Sequence, residues 1–239
     1  MWVSHGLIVL AAWAAPLADS PLVRFVEPPG ISRVLDLSHQ GMMLIEREVI
    51  ESTSAMSFVP FLRTEERQQS LSIPESFTHR EVYRLSENGW AVGFATRPIG
   101  HPLGNQQACI WDFSTGRVKL LELPDGFRGS CAFDIDATAS TVSGYLTGRD
   151  PPRLSPCLWQ RAEGRWKCVR LSAPEPFNPL LTSAHTVLSD DGCHAAATLA
   201  VEVSEAPVPQ YVNHLFAWKR SGNGNWVRRK LAERAVHLA

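Results

Sequence analysis

The stretch Leu85–Phe94 reads LSENGWAVGF: a polar turn closed by Gly89, then an apolar run. Three other stretches repeat its outline: LSHQGMMLIE at 37–46, IDATASTVSG at 135–144 and LSDDGCHAAA at 188–197. The residues at the turn, Gly41, Gly89, Ala139 and Gly192, fall about 50 residues apart. Self-similarity at a fixed period marks a repeat architecture.

Further landmarks follow each turn. Phe61, Trp111, Trp159 and Trp218 form one series. Gly116/Val118, Gly164/Trp166 and Gly224/Trp226 form another, and the first unit has Glu66 and Gln68 there instead. Closing phrases appear as LSIPES (71–76) and LELPDG (121–126), with RLSAPEP (170–176) a looser copy. In the second unit VYRLS alternates apolar and polar residues, ENG turns, and WAVGFAT reads as a second strand. After a loop over Arg97–Gln107, ACIWD and RVKLLEL flank the turn FSTG. Alternation with period two and Gly-bearing turns predict two hairpins per unit. The expected fold is all-β, with four recognisable four-stranded repeats of about 50 residues. One such sheet cannot bury both faces alone. Stacking sheets around an axis can, so a β-propeller-like domain is expected over 31–239. The segment LVRFVEPPG (22–30) reads like the end of a blade. It is a candidate closing strand within the N-terminal segment 15–30, or the remnant of a further blade. An open or dimer-completed ring stands beside the closed one.

Composition is consistent with this. Hydrophobic residues make up 44% of the 239 residues, enough for a packed core. The formal charge of −1 argues against a protein-wide nucleic-acid or membrane footprint. With 17 Pro, 16 Gly and 8 Trp, the chain has turns and large apolar anchors rather than bundle character. The apolar run Gly6–Ala15 is too short to span a bilayer as a helix. It fits the apolar region of a signal peptide over 1–14, with Ala12-Trp13-Ala14 as the cleavage motif, although no Lys or Arg precedes it. Export to the periplasm or the exterior is therefore expected, with no transmembrane segment.

The phrase LSENGWAVGF…QACIWDFSTGRVKLLELPDG (85–126) resembles the HAF-type extracellular repeat. Gly89, Val92 and Gly93 match its turn and Val-Val-Gly run, and Trp111, Leu120, Leu123 and Gly126 match its later positions. Ser86, Asp136 and Ser189 stand where that repeat has Asn, and Ala195-Ala196-Ala197 replaces Val-Val-Gly in the fourth unit. The resemblance covers roughly residues 34–232. It implies an exported, propeller-like bacterial protein and carries no catalytic residues.

Few residues suggest chemistry. Asp134 and Asp136 lie two apart on a strand and so share a side, where they could bind Ca²⁺ or act as acid and base. Asp136 also sits at the turn position, where a side chain bonding to the backbone explains it equally. Asp190 and Asp191 have the same turn explanation. His185 and His194 fall on two strands of one hairpin, an arrangement found more often in packing than in metal binding. Trp90 follows its turn and is a candidate exposed aromatic at a blade end. The Cys residues are 109, 131, 157, 168 and 193, with no CxxC spacing to suggest zinc. Cys157 and Cys168 are equidistant from the turn of CLWQRAEGRWKC, so a cross-strand disulfide and free core thiols both stand. The basic stretch WKRSGNGNWVRRKLAER (218–234) reads as a solvated outer edge. No nucleophile elbow or phosphate loop occurs, and no catalytic, cofactor or metal residues are assigned. The variable loops 95–108, 146–156 and 200–213 are the strongest candidates for function. They suggest a non-enzymatic scaffold binding an extracellular or envelope protein or a glycan. An enzyme acting on glycans or similar polymers is the alternative, and a purely structural repeat protein is a third.

Overall fold

The computed structural model describes residues 32–52, 55–98, 106–148, 154–173, 186–202 and 211–234. Every regular element among these residues is a strand. The first sheet holds β1 (Ser32–Leu37), β2 (Met43–Ser52), β3 (Ala55–Arg63) and β4 (Gln68–Ser70). The second holds β5 (His79–Leu85), β6 (Trp90–Thr96), β7 (Gln106–Asp112) and β8 (Arg117–Leu120). The third holds β9 (Phe127–Ile135), β10 (Thr141–Gly148), β11 (Leu154–Ala162) and β12 (Arg165–Arg170). The fourth holds β13 (Val187–Leu188), β14 (His194–Glu202), β15 (Tyr211–Arg220) and β16 (Trp226–Arg234). Each sheet is antiparallel with strands in chain order, so the sequence repeat is one four-stranded blade. The first strands β1, β5, β9 and β13 contact one another in turn and line the axis.

The turn residues account for the repeated phrase. Gly41, Gly89 and Gly192 have φ of 78°, 81° and 64°, and Ala139 takes φ 52° in the same place. A tight turn needs that left-handed conformation, which Gly adopts without steric cost. The Val-Val-Gly run has a different reason. β1, β5 and β9 each carry one extra residue, Leu35, Tyr83 and Phe133, at matching points in their ladders with the second strand. Gly93 and Gly144 lie beside the bulges of β5 and β9. A methyl there would sit 1.9 Å from the Glu81 or Cys131 carbonyl oxygen.

Three apolar seams join the blades. Leu44 and Leu62 meet Val82, Ala91 and Trp111. Val92, Ala108 and Ile110 meet Ala132, Val142 and Trp159. Leu158 and Leu171 meet Ala195, Phe216 and Trp218. The three Trp are fully buried, and each ties its blade to the segment that leaves the blade before. The indole Nε1–H groups of Trp111, Trp159 and Trp218 donate to the carbonyls of Ser72 (2.8 Å), Glu122 (2.8 Å) and Ser172 (3.0 Å).

Two sequence readings need correction. Register places Arg63, not Phe61, at the Trp position of the first blade: Leu62 pairs with Leu44 as Ile110 pairs with Val92. Phe61 corresponds to Cys109, Cys157 and Phe216. The strand expected over RVKLLEL ends at Leu120: Leu121 N–H makes a last ladder bond to the Ala108 carbonyl, and from Glu122, whose carbonyl accepts from Trp159, the chain leaves for the next blade. The signal region, the segment 15–30 and His185 lie outside the described residues.

Among those residues no apolar cluster joins the fourth sheet to the first. Val34 and Val187 on the axial strands are each 50% exposed, and Val227 and Leu231 on β16 are 53% and 58% exposed. Among the described residues no helix is long and apolar enough to cross a membrane.

Candidate functional site: the axis and one rim

The axis carries a recurring charged position, two residues before the turn. Asp36, Arg84 and Asp134 occupy it in the first three blades and Val187 in the fourth. Asp36 accepts the Leu85 N–H at 2.8 Å, and Asp134 accepts the Leu188 N–H at 2.7 Å, so each aspartate holds the next blade. Arg84 stands between them, 3.3 Å from Asp36 and 3.6 Å from Asp134. Burial raises the Asp134 carboxyl above its ordinary value. The bonds from the Leu188 and Ile135 amides and the Arg84 charge partly offset this, and Asp36 adds to it. Period-two patterning hides this position because its residue alternates in sign. Aligning the four turns would have exposed it.

Asp134 and Asp136 are not a working pair. Asp136 is 1% exposed and accepts from the amides of Ser140 (2.7 Å) and Thr141 (3.1 Å) and the hydroxyls of Ser140 (2.5 Å) and Thr138 (3.2 Å). That is the turn role. Asp191 has the same one, accepting from Cys193 N–H and the Ser189 hydroxyl. Trp90 is half-buried against the seam between the second and third blades, and the Arg161 guanidinium lies 5.2 Å above its ring. It is no bare platform. Cys157 and Cys168 are free thiols in the same core cluster. Register sets Cys157 opposite Arg170 and Cys168 opposite Trp159, so the two are diagonal neighbours rather than directly opposed. Burial, first of all, raises the Cys157 thiol, and contact with the Cys168 thiol adds to it. Among the described residues no group of three His, Cys, Asp or Glu side chains is placed to hold a metal.

The bulges place an aromatic ladder beside the axis. Tyr83 lies 6.0 Å from Phe94 and 5.3 Å from Phe133, and Phe133 lies 5.5 Å from Tyr145. The Tyr83 hydroxyl donates to Glu81 at 2.9 Å, and Tyr145 reaches Gln106 at 3.4 Å. Burial pushes both phenols well above their ordinary range, so they stay protonated donors. The ladder was not legible beforehand, because a bulge reverses the face on which the next side chain emerges.

The ladder lies mid-strand, and one rim of the blades is formed where β6 ends and β7 begins. In the third and fourth blades β10 and β14 end, and β11 and β15 begin, at the corresponding end; the residues 99–105, 149–153 and 203–210 of the variable loops lie outside the described residues. A cleft of about 440 Å³ opens at this rim, lined by Arg97, Gln107 and the segment Leu120–Phe127.

No family model matches the chain, and no curated protein matches it. Solved structures do. The chain is similar to the β-propeller domain of the Trilobed protease from Pyrococcus furiosus, described as having an open velcro topology, at TM-score 0.51 and 8% identity over 84% of this chain. It is also similar to TolB from Acinetobacter baumannii at TM-score 0.48 and 14% identity over 87% of this chain. The chain spans 57% and 45% of those two chains. At such identities the likeness concerns the fold alone, and the fold is a β-propeller.

Proposed function

We propose that this protein is an exported, non-enzymatic propeller scaffold that binds an extracellular or envelope partner, protein or glycan, through the connections on one rim. The observation that carries the reading is positional: the cleft and the strand ends that the three variable loops connect belong to the same end of the blades. Binding surfaces are commonly built this way, on loops held by a rigid scaffold. Export rests on the N-terminal apolar run and on the resemblance to an extracellular repeat. The enzyme reading has less support. It needs free carboxylates near the axis, whereas Asp134 and Asp136 are engaged by backbone amides. For a glycan partner, Tyr83, Phe133 and Tyr145 supply stacking rings, with Glu81 and Gln106 as hydrogen-bonding groups beside them.

The test is a thermal-shift screen of the full chain against oligosaccharides, Ca²⁺, Zn²⁺ and fractionated cell-envelope extract. A ligand at 100 times its Kd adds about 2.7 kcal/mol to the folded state, which is readily visible. Any hit is then repeated on variants with Gly-Ser replacements in 98–105 and 203–210. The reading requires the stabilisation to vanish in at least one of them. If both variants keep their full response, the rim is not the binding surface. Turnover of an oligosaccharide would establish the enzyme alternative.

A further inference from the structure

We infer that the cleft beside Arg97 is a carboxylate-binding site, specific for a monoanionic carboxylate carried on an apolar group. This deepens the rim-binding reading and rests on it for biological meaning.

Arg97 is 7% exposed, at the end of β6. Its guanidinium lies 4.4 Å from the centre of the Phe77 ring, and its Nη2 donates to the Gln107 side-chain oxygen. Gln107 is fixed in turn by donating to the Leu121 carbonyl at 3.2 Å. The partners are therefore a ring face and a neutral amide. Among the described residues no carboxylate lies within 4.0 Å of Arg97, and its Nη1 is buried with no hydrogen-bond partner. Arg33, by contrast, meets Glu46 at 2.6 Å, and Arg84 meets two aspartates. A buried cation with an unmade hydrogen bond is unfavourable unless an anion completes it. The planar fork of a guanidinium matches a carboxylate.

The rest of the cleft narrows the ligand class. Leu120, Leu121, Leu123 and Phe127 give it an apolar wall, and Leu120 is 41% exposed. Glu122 and Asp125 also line it. Glu122 is occupied by the Cys168 N–H at 2.6 Å. Two carboxylates on the wall of a cleft that holds one guanidinium disfavour a dianion such as a phosphate monoester more than a single negative charge. An aliphatic acid and the C-terminal carboxylate of a peptide ending in an apolar residue both meet this description, and they share the chemistry.

The experiment measures binding by calorimetry and thermal shift at constant ionic strength, with chloride as the reference. The probes are 4-methylpentanoate, its amide, inorganic phosphate, and a short peptide ending in Leu with a free or amidated C-terminus. The expected result is that each carboxylate binds at least about tenfold more tightly than its amide, with phosphate no better than chloride. Arg97→Gln, which keeps hydrogen-bonding capacity and removes the charge, should abolish that preference. Asp125→Asn lies on the exposed wall and should tighten carboxylate binding by about threefold. It serves as the check if Arg97→Gln does not fold. A free peptide that outperforms 4-methylpentanoate assigns the site to chain termini, and the reverse assigns it to small acids. Equal response to acid and amide, or a preference that survives Arg97→Gln, overturns the inference. If the site fails while loop variants still lose their partner, the rim reading stands alone. If carboxylates bind but the rim variants keep every partner, the rim reading falls and the site remains.

Discussion

Asp134→Ala is the most informative substitution, because one side chain holds two blades. Asp134 accepts the Leu188 N–H at 2.7 Å and the Ile135 N–H at 2.9 Å, and its side chain is 12% exposed. A hydrogen bond to a charged group contributes about 1.5–3 kcal/mol, and a buried donor left unmade adds its own desolvation cost. The Arg84 contact, at 3.6 Å from a half-exposed side chain, adds less than about 1 kcal/mol. The Ile135 bond is local, one residue along the chain, and persists in part in the unfolded state, so the two losses do not add in full. The expected loss is about 2–4 kcal/mol. For a chain of this length that lowers Tm by about 5–15 °C. Asp134→Asn should lose less, because the amide oxygen still accepts one bond and no charge is buried. The pH dependence separates charge from geometry. The folded-state pKa of Asp134 is raised, so the folded state holds this proton more tightly than the unfolded chain does. Its charge-burial penalty is full above the folded pKa and disappears as pH falls below the unfolded value. Across the acidic carboxylate range, Tm of the wild type minus Tm of Asp134→Asn should therefore rise as pH falls. Scanning calorimetry of the three proteins at several pH values reads both effects. A change under about 2 °C for Asp134→Ala would refute the clamp, and a Tm difference that moves the opposite way with pH would refute the dominance of burial.

Gly93→Ala and Gly144→Ala should each destabilise by about 3 kcal/mol or more, since the new methyl meets backbone oxygen at 1.9 Å and a ladder must move. Denaturant titration checks this, with Gly164→Ala, which meets no atom but has φ 76°, as the control for backbone strain alone. Replacing Trp111, Trp159 or Trp218 by Phe removes the bond to the preceding segment, and each should cost about 1–3 kcal/mol by the same titration. Alkylation of the native, unreduced protein followed by mass spectrometry should label Cys168 and Cys193, which are partly exposed, and spare Cys109, Cys131 and Cys157. Burial pushes the Cys109 thiol up to about 12, so it resists both by access and by ionisation. Labelling of Cys168 only after reduction would mean that it is bridged to Cys157.

The repeat and the hairpins were legible because they are local. A turn residue at positive φ and alternation on either side of it leave a signature within ten residues, as at Gly89 and Trp90–Thr96. The Trp series was legible for the same reason, except in the first unit. There an aromatic residue two positions early, Phe61, imitated the landmark while Arg63 held its place in the ladder. The charged axial position is found by aligning the turns, but its role was not legible. Asp36, Arg84 and Asp134 differ in identity, and their shared role appears only when adjacent blades bring amide donors to them. Arg97 looked like an ordinary loop residue, because its isolation from carboxylates depends on Phe77, Gln107 and Leu121 folding around it.

The sequence by itself therefore determined the blade: four strands, their turns, the glycines and the buried indoles, all set by backbone sterics and short-range alternation. The tertiary structure decided how blades join and where chemistry can occur. Which face a residue presents after a bulge, and which donor or charge from another blade meets it, depends on contacts some 50 residues apart in the chain. No local pattern encodes such contacts.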